Sequence, residues 1–157
     1  MHSRGTQRGT GGGGSRSGTT LVEVALILGG FLLTLFTMLE LGLVAMRHNM
    51  MAEAARTVAR EAVVRGDMSP PLRAAWGPAE YAGTAADASE IAAKLRSTLV
   101  GLPPEQVDVR VEWPDGENST GKRVRVTVTH RYSPVLPFLF GPTEYHLSSV
   151  SVMQIAH

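Results

Sequence analysis

The most constraining feature of this sequence is an uncharged apolar run near its N-terminus. Sixteen residues from Val24 to Leu39 carry no charge, and the apolar character continues from Leu41 to Met46. Together they reach the ~20 residues that an α-helix needs to cross the hydrocarbon core of a bilayer. The sequence therefore predicts a transmembrane helix over residues 19–46.

The residues before this helix predict a leader and an orientation. Residues 1–18 are rich in Gly and Ser, contain Arg4, Arg8 and Arg16, and have no acid. We interpret them as a disordered basic leader. The arginine excess predicts a cytoplasmic N-terminus and an exported remainder. An ordinary flexible tail is the alternative, as is a secretory signal peptide with a small-residue cleavage site at residues 52–54.

Glu23 is an acid that directly precedes the apolar run. A carboxylate deep in a bilayer costs about 2.5–3.5 kcal/mol on insertion scales, so it usually has a partner or a function. A cut between Gly18 and Thr19 would create an amine four residues before Glu23, which is one helical turn away. We hypothesise that this amine, from the same chain or from a neighbouring one, neutralises Glu23. The ion pair would then fix the axial position of one helix relative to a neighbouring helix.

Small residues within the run predict helix packing. Gly29 and Gly30 weaken helix propensity by about 1 kcal/mol each. Ala25 and Gly29 form a small-xxx-small pair, through which a second helix can approach closely. We therefore expect Ala25, Gly29 and Gly30 to contact a partner helix.

Glu40 is the second acid of the apolar region. It follows Glu23 by 17 residues, which corresponds to about 26 Å of helix. That length nearly matches the ~30 Å of the hydrocarbon core. We expect Glu40 to lie at the outer interface, within reach of water and Arg47, with a role in subunit contacts as a secondary interpretation.

Beyond the apolar run the helix continues with an amphipathic pattern over residues 47–66. Apolar residues recur on one face at helical spacing; they are Met50, Met51, Ala54, Ala55, Val58, Ala59, Ala62 and Val63. One helix from Thr20 to Arg65 is predicted, with Gly66 as its stop. We expect the chain's own sheet, rather than a neighbouring subunit, to cover this stripe.

Residues 67–157 predict a small exported α+β head. Residues 67–83 indicate a loop pinned by Trp76 and Tyr81. Residues 84–99 predict a short helix whose start is marked by Thr84 and Asp87.

Alternating valines predict three strands in the rest of the head, over residues 107–113, 123–129 and 145–155, the last with a bulge. Residues 133–142 are apolar and rich in proline; they cap the sheet edge or form an exposed contact patch, and we favour the cap. The predicted fold class is α+β: a long N-terminal transmembrane and amphipathic helix packed on an antiparallel sheet of about three strands plus one short helix.

Composition excludes several classes of function. The chain has no cysteine, which excludes disulfides and cysteine-based sites. Its net charge is +1, and the positive charges are spread out rather than gathered into a basic stripe for nucleic acid. His130 and His146 could face each other across strands, but no spacing matches a metal or triad signature. We expect no enzyme activity, catalytic residue, metal or cofactor. The glycosylation pattern at residues 118–120 is attributed to chance.

Several of these features together resemble the TadE-like family of minor pilins or pseudopilins from tight-adherence (Flp) pilus systems. They are the basic leader ending at Gly18, Glu23 at the fifth position after it, Leu39-Glu40-Leu41-Gly42, the Ala/Arg-rich residues 54–62, and the strand leading into Tyr132-Ser133-Pro134. The resemblance implies cleavage by a prepilin peptidase between Gly18 and Thr19. It also implies assembly with other pilin-like subunits through the N-terminal helix, at the bacterial inner membrane or in an extracellular pilus.

An alternative from a different class remains open. The chain could be an uncleaved, single-pass, signal-anchored envelope protein whose exported head is a binding module. Residues 1–18 would then remain on the chain, and Glu23 would be only an interfacial acid.

Overall fold

A computed structural model describes residues 15–70, 72–141 and 143–156, with side chains from residue 18 onward. The chain divides into two compact units, one ending at Leu39 and the other beginning at Glu40. We call residues 40–157 the head unit. Residues 1–14 of the predicted leader lie outside the described residues, whereas Ser15 to Gly18 already belong to a helix.

Helix α1 runs from Ser15 to Val63, which confirms the prediction of one long helix. Its part from Gly18 to Val63 contains an 18-residue window with a mean hydropathy of 2.2, and no residue of that window is buried. Within the described residues, α1 is the one helix that is long and apolar enough to cross a membrane.

The hydroxyls of two threonines in the apolar run are hydrogen-bonded to the backbone of the same helix. The hydroxyl of Thr34 donates to the carbonyl of Gly30 at 2.9 Å, and that of Thr37 to the carbonyl of Leu33 at 2.8 Å. Such bonds to the preceding turn keep a hydroxyl paired where no water is present. The run therefore presents no unpaired threonine hydroxyl to its surroundings.

The head unit is built on a four-stranded antiparallel sheet in the order β1-β2-β3-β4. The strands are β1 (Tyr81–Thr84), β2 (Val107–Glu112), β3 (Arg123–Tyr132) and β4 (Tyr145–Gln154). The α+β class with a long helix on an antiparallel sheet is confirmed, with one strand more than expected. The additional strand, β1, has only four residues, and two of them are Ala82 and Gly83, so it carries no apolar alternation.

The predicted helix over residues 84–99 is shorter in the structure, where α2 spans Glu90–Arg96. Thr84 and Asp87 do not start it. The Asp87 carboxylate instead accepts from the amide and the hydroxyl of Thr84, at 3.0 and 2.9 Å, and closes a turn after β1. Ser89 caps α2 by accepting from the amide of Ala92 at 3.1 Å.

Strand β4 pairs with β3 in one continuous register, from Arg123 opposite Gln154 to Tyr132 opposite Tyr145. The predicted bulge is therefore wrong. The apolar residues of β4 lie on one face of the sheet in its first part and partly on the other face later, but the register with β3 is unchanged throughout. Leu147 and Met153 pack against the core, whereas Val150 and Val152 lie on the opposite face and are exposed.

The core of the head unit lies between α1 and the sheet. The stripe of α1 is fully buried at Met51, Ala54, Ala55, Val58, Ala59 and Ala62. It packs against the inward valines of β2 and β3, which are Val107, Val109, Val111, Val124, Val126 and Val128. The chain's own sheet thus covers the small-residue stripe, as predicted.

Asn118 fastens the loop after α1 to the sheet. Its side-chain amide donates to the carbonyls of Arg65, at 3.2 Å, and of Trp76, and its oxygen accepts from the indole of Trp113 at 3.0 Å. Trp76 is buried, as predicted, while Tyr81 is part of β1. Because Asn118 is buried and its amide is fully bonded, the folded chain does not present it as a glycosylation acceptor.

Candidate functional site along helix α1

The predicted processing residues lie on the exposed part of α1. Gly18 and Thr19 are both exposed and helical, and Glu23 is exposed one turn further along. The spacing needed for an ion pair between Glu23 and an amine at Thr19 is therefore present in the helix geometry. Cleavage and pairing themselves stay predictions.

The small residues predicted to pack against a partner have open space in front of them. Ala25, Gly29 and Gly30 are exposed. A Cβ added at Gly29 or Gly30 would meet no atom within 4 Å. A backbone surface without side chains is what close helix approach requires, so a partner helix can reach α1 here.

The whole first half of α1 exposes large apolar side chains. They include Leu21, Val22, Leu26, Ile27, Phe31, Met38 and Leu39, each more than half exposed. Exposed apolar patches of this size mark a contact with lipid or protein. Thr19 to Leu39 gives about 31 Å of helix, close to the ~30 Å hydrocarbon core.

Glu40 is buried rather than open to water, so the expectation of a water-accessible acid is wrong. It is 3% exposed. Its carboxylate accepts a hydrogen bond from the hydroxyl of Tyr132 and a second from the amide of Val135 at 3.0 Å. The end of β3 and the segment that follows it fold over this turn of the helix, which shields it from solvent.

Arg47 and Tyr132 extend this contact. The Arg47 guanidinium lies over the Tyr132 ring, 4.6 Å from its centroid, in a cation–π arrangement. Burial and the hydrogen bond to Glu40 raise the pKa of the Tyr132 phenol to about 12, so it remains a donor at any physiological pH. Sequence reasoning missed this cluster, although the buried positions of β3 alternate as far as Tyr132.

Beside Glu40 the head unit has a mostly apolar cavity of about 260 Å³. It is lined by Glu40, Leu41, Val44, Tyr132, Pro134, Phe140, Tyr145 and Leu147. Its walls come from α1, the end of β3, the start of β4 and the segment between these strands. The same segment thus both covers Glu40 and borders an apolar space.

The segment between β3 and β4 does not contribute its apolar residues to the core. We define residues Ser133–Gly141 as the rim segment; it contains the short helix α3 (Pro137–Phe140). Phe138 is 73% exposed and Val135 is 60% exposed, while Leu136, Leu139 and Phe140 are half-buried. The two alternatives for this segment, a cap on the sheet edge or an exposed contact patch, thus divide between its residues, and none of them belongs to the core cluster.

The two candidate histidines do not face each other. His130 is buried on the inner face of the sheet, opposite Leu147, whereas His146 pairs with Arg131 and is exposed. The Nδ1 atom of His130 bonds the carbonyl of Gln106 at 3.1 Å, and its Nε2 atom has no protein partner. Among the described residues, no group of His, Asp and Glu is arranged to hold a metal ion.

Comparison with known proteins places the similarity on α1. A family model described as TadE-like protein matches residues 18–60, which confirms the resemblance over that part of the chain. The match covers the predicted cleavage junction, Glu23, the exposed apolar half of α1 and most of its buried stripe. No curated protein and no solved structure matches the chain.

Proposed function

We propose that this protein is a membrane-anchored component of a tight-adherence (Flp) pilus system and acts there as a minor pilin or pseudopilin. The observation that carries the proposal is the exposed apolar, Glu23-bearing half of α1, which lies within the TadE-like match at residues 18–60. The resemblance supports a structural role in the cell envelope, without enzyme activity.

Helix α1 anchors the chain as a single-pass protein in the bacterial inner membrane. The arginines of residues 1–18 hold the N-terminus in the cytoplasm, and the head unit is exported. Burial of Glu40 under the head supports ending the lipid-embedded part near this residue, because the face of α1 that the head covers is not in contact with lipid. The hydrocarbon span is then residues 19–39, within the predicted 19–46.

A prepilin peptidase would cut between Gly18 and Thr19 and leave a cationic amine at the start of the mature helix. Glu23 in hydrocarbon is unfavourable unless a positive charge accompanies it. The amine of Thr19 from a neighbouring subunit supplies that charge and fixes the stagger of the two helices. Ala25, Gly29 and Gly30 then allow the neighbouring helix to approach.

The test is Glu23→Ala in the native host, with Val22→Ala as the matched control on the same exposed turn. Glu23→Ala should insert into the membrane as well as the parent chain or better, because a charge is removed. It should nevertheless lose incorporation into pilus assemblies, measured by cross-linking and by the amount of chain in sheared filaments. Normal incorporation of Glu23→Ala would refute the pairing.

The intact mass and N-terminal sequence of the membrane-extracted chain separate the two classes of function. A mature chain that starts at Thr19 supports the pilin-like function. A chain that still carries residues 1–18 favours the uncleaved signal-anchored protein, whose head would then be the functional part.

A further inference from the structure

We propose that the rim segment lies on the outer surface of the bilayer and inserts Val135 and Phe138 among the lipids. The inference rests on the proposed anchoring by α1, and it adds a second membrane contact made by the head unit. It assigns the apolar residues between β3 and β4 to a lipid surface instead of the core.

The composition and exposure of the rim segment suit such a surface. The twelve residues from Tyr132 to Thr143 carry no charge. Phe138 is 73% exposed and Val135 is 60% exposed, and neither belongs to the core cluster. An aromatic and a β-branched side chain that are exposed to water to this extent lose the stabilisation that burial would give them. Apolar groups concentrated on one uncharged segment are typical of interfacial membrane contacts.

The depth of the rim segment follows from its bond to Glu40. The Val135 amide donates to the Glu40 carboxylate at 3.0 Å, so the Val135 backbone lies within about one to two helical turns of Glu40 along α1. Glu40 directly follows Leu39, where about 31 Å of exposed apolar helix ends. If that helix fills the ~30 Å hydrocarbon core, Glu40 and Val135 lie at its outer boundary.

Tyr145 strengthens the assignment to an interface. Its ring is 43% exposed and borders the apolar cavity, while its hydroxyl donates to the carbonyl of Phe140 at 2.8 Å. Tyrosines with an apolar ring and a bonded hydroxyl are enriched where hydrocarbon meets head groups. We choose lipid as the occupant because Glu40, to which the Val135 amide is bonded, directly follows in the chain the apolar helix that we propose to lie in the bilayer.

The experiment measures the depth of spin labels on the full chain in liposomes of phosphatidylethanolamine and phosphatidylglycerol. The sequence has no cysteine, so a single cysteine variant carries a single label. Phe138→Cys is compared with Met68→Cys, an apolar residue that is 75% exposed. Met68 follows α1, whose end at Val63 is about 35 Å along the helix from Glu40.

Each label is scored by its collision rate with oxygen, which dissolves in lipid, relative to a water-soluble nickel chelate. We expect the ratio at Phe138 to exceed that at Met68 several-fold. Equal ratios at the two positions would overturn the inference. Protection of Phe138 from both reagents would also overturn it, since that result indicates a protein partner. If Phe138→Cys fails to fold, Val135→Cys takes its place.

A third label separates this inference from the anchoring on which it rests. Leu28→Cys lies in the middle of the exposed apolar helix. A lipid signal at Leu28 with a water signal at Phe138 refutes the rim contact and leaves the anchor intact. A water signal at Leu28 refutes the membrane span itself.

Discussion

Removal of the Tyr132 hydroxyl is the sharpest test of the contact around Glu40. Tyr132→Phe keeps the buried ring and its contact with Arg47 and deletes only the donor to the carboxylate. Hydrogen bonds to charged groups contribute about 1.5–3 kcal/mol. Glu40 is 3% exposed, so water does not readily replace the lost donor. We expect the free energy of unfolding of the head unit to fall by about that amount.

Urea titration of the full chain in lipid nanodiscs, followed by tryptophan fluorescence, measures this change. The two tryptophans, Trp76 and Trp113, are both buried in the head unit and report its unfolding. With a urea dependence of about 1–3 kcal/mol per molar, the midpoint should drop by roughly 1 M.

Tyr145→Phe is the matched control for this measurement. It also removes one hydroxyl, which donates to the carbonyl of Phe140, but its residue is 43% exposed and water can take the place of the donor. We expect a loss of about 1 kcal/mol or less. A Tyr132→Phe chain no less stable than the Tyr145→Phe chain would show that the burial of Glu40 does not depend on this bond.

Two further predictions concern buried polar groups of the head unit. Burial lowers the pKa of His130, so the unfolded chain binds more protons than the folded one at mildly acidic pH. The free energy of unfolding should therefore be constant above pH 6.5, about the ordinary pKa of histidine, and should fall as the pH drops below that value. Urea titrations from pH 5 to 8 test this, and the slope should flatten in His130→Asn. Asn118→Ala removes three hydrogen bonds and should cost about 3 kcal/mol or more, whereas Ser119→Ala in the same loop should change stability by less than about 1 kcal/mol.

The elements with strong periodicity could be predicted from the sequence. The stripe from Met50 to Val63 recurs at helical spacing over four turns, so both α1 and its burial against the sheet were predictable. The alternating valines of β2 and β3 gave their strands in the same way. These patterns are visible in short stretches of sequence, and the same apolar residues form the core.

The errors have a common physical cause, which is that the outcome depended on distant parts of the chain. Spacing along α1 predicts that Glu40 lies at the end of the apolar helix, but the contact with Tyr132, 92 positions later, determines that it is buried. Thr84 and Asp87 fit a helix start, yet pairing of Tyr81 with Val111 makes the preceding residues a strand. In the polar loop 114–121, nothing local distinguished Asn118 from its neighbours.

The burial of the α1 stripe determines when the head can fold during biosynthesis. One wall of the core is made of residues 51–62, which are synthesised early, and the other walls come from strands that end only at Gln154. Under the proposed topology, the sheet therefore closes on the helix only after the residues up to Gln154 have been made and exported. Until then the small-residue stripe has no cover, so in this topology the head crosses the membrane unfolded, after the helix that carries one wall of its core.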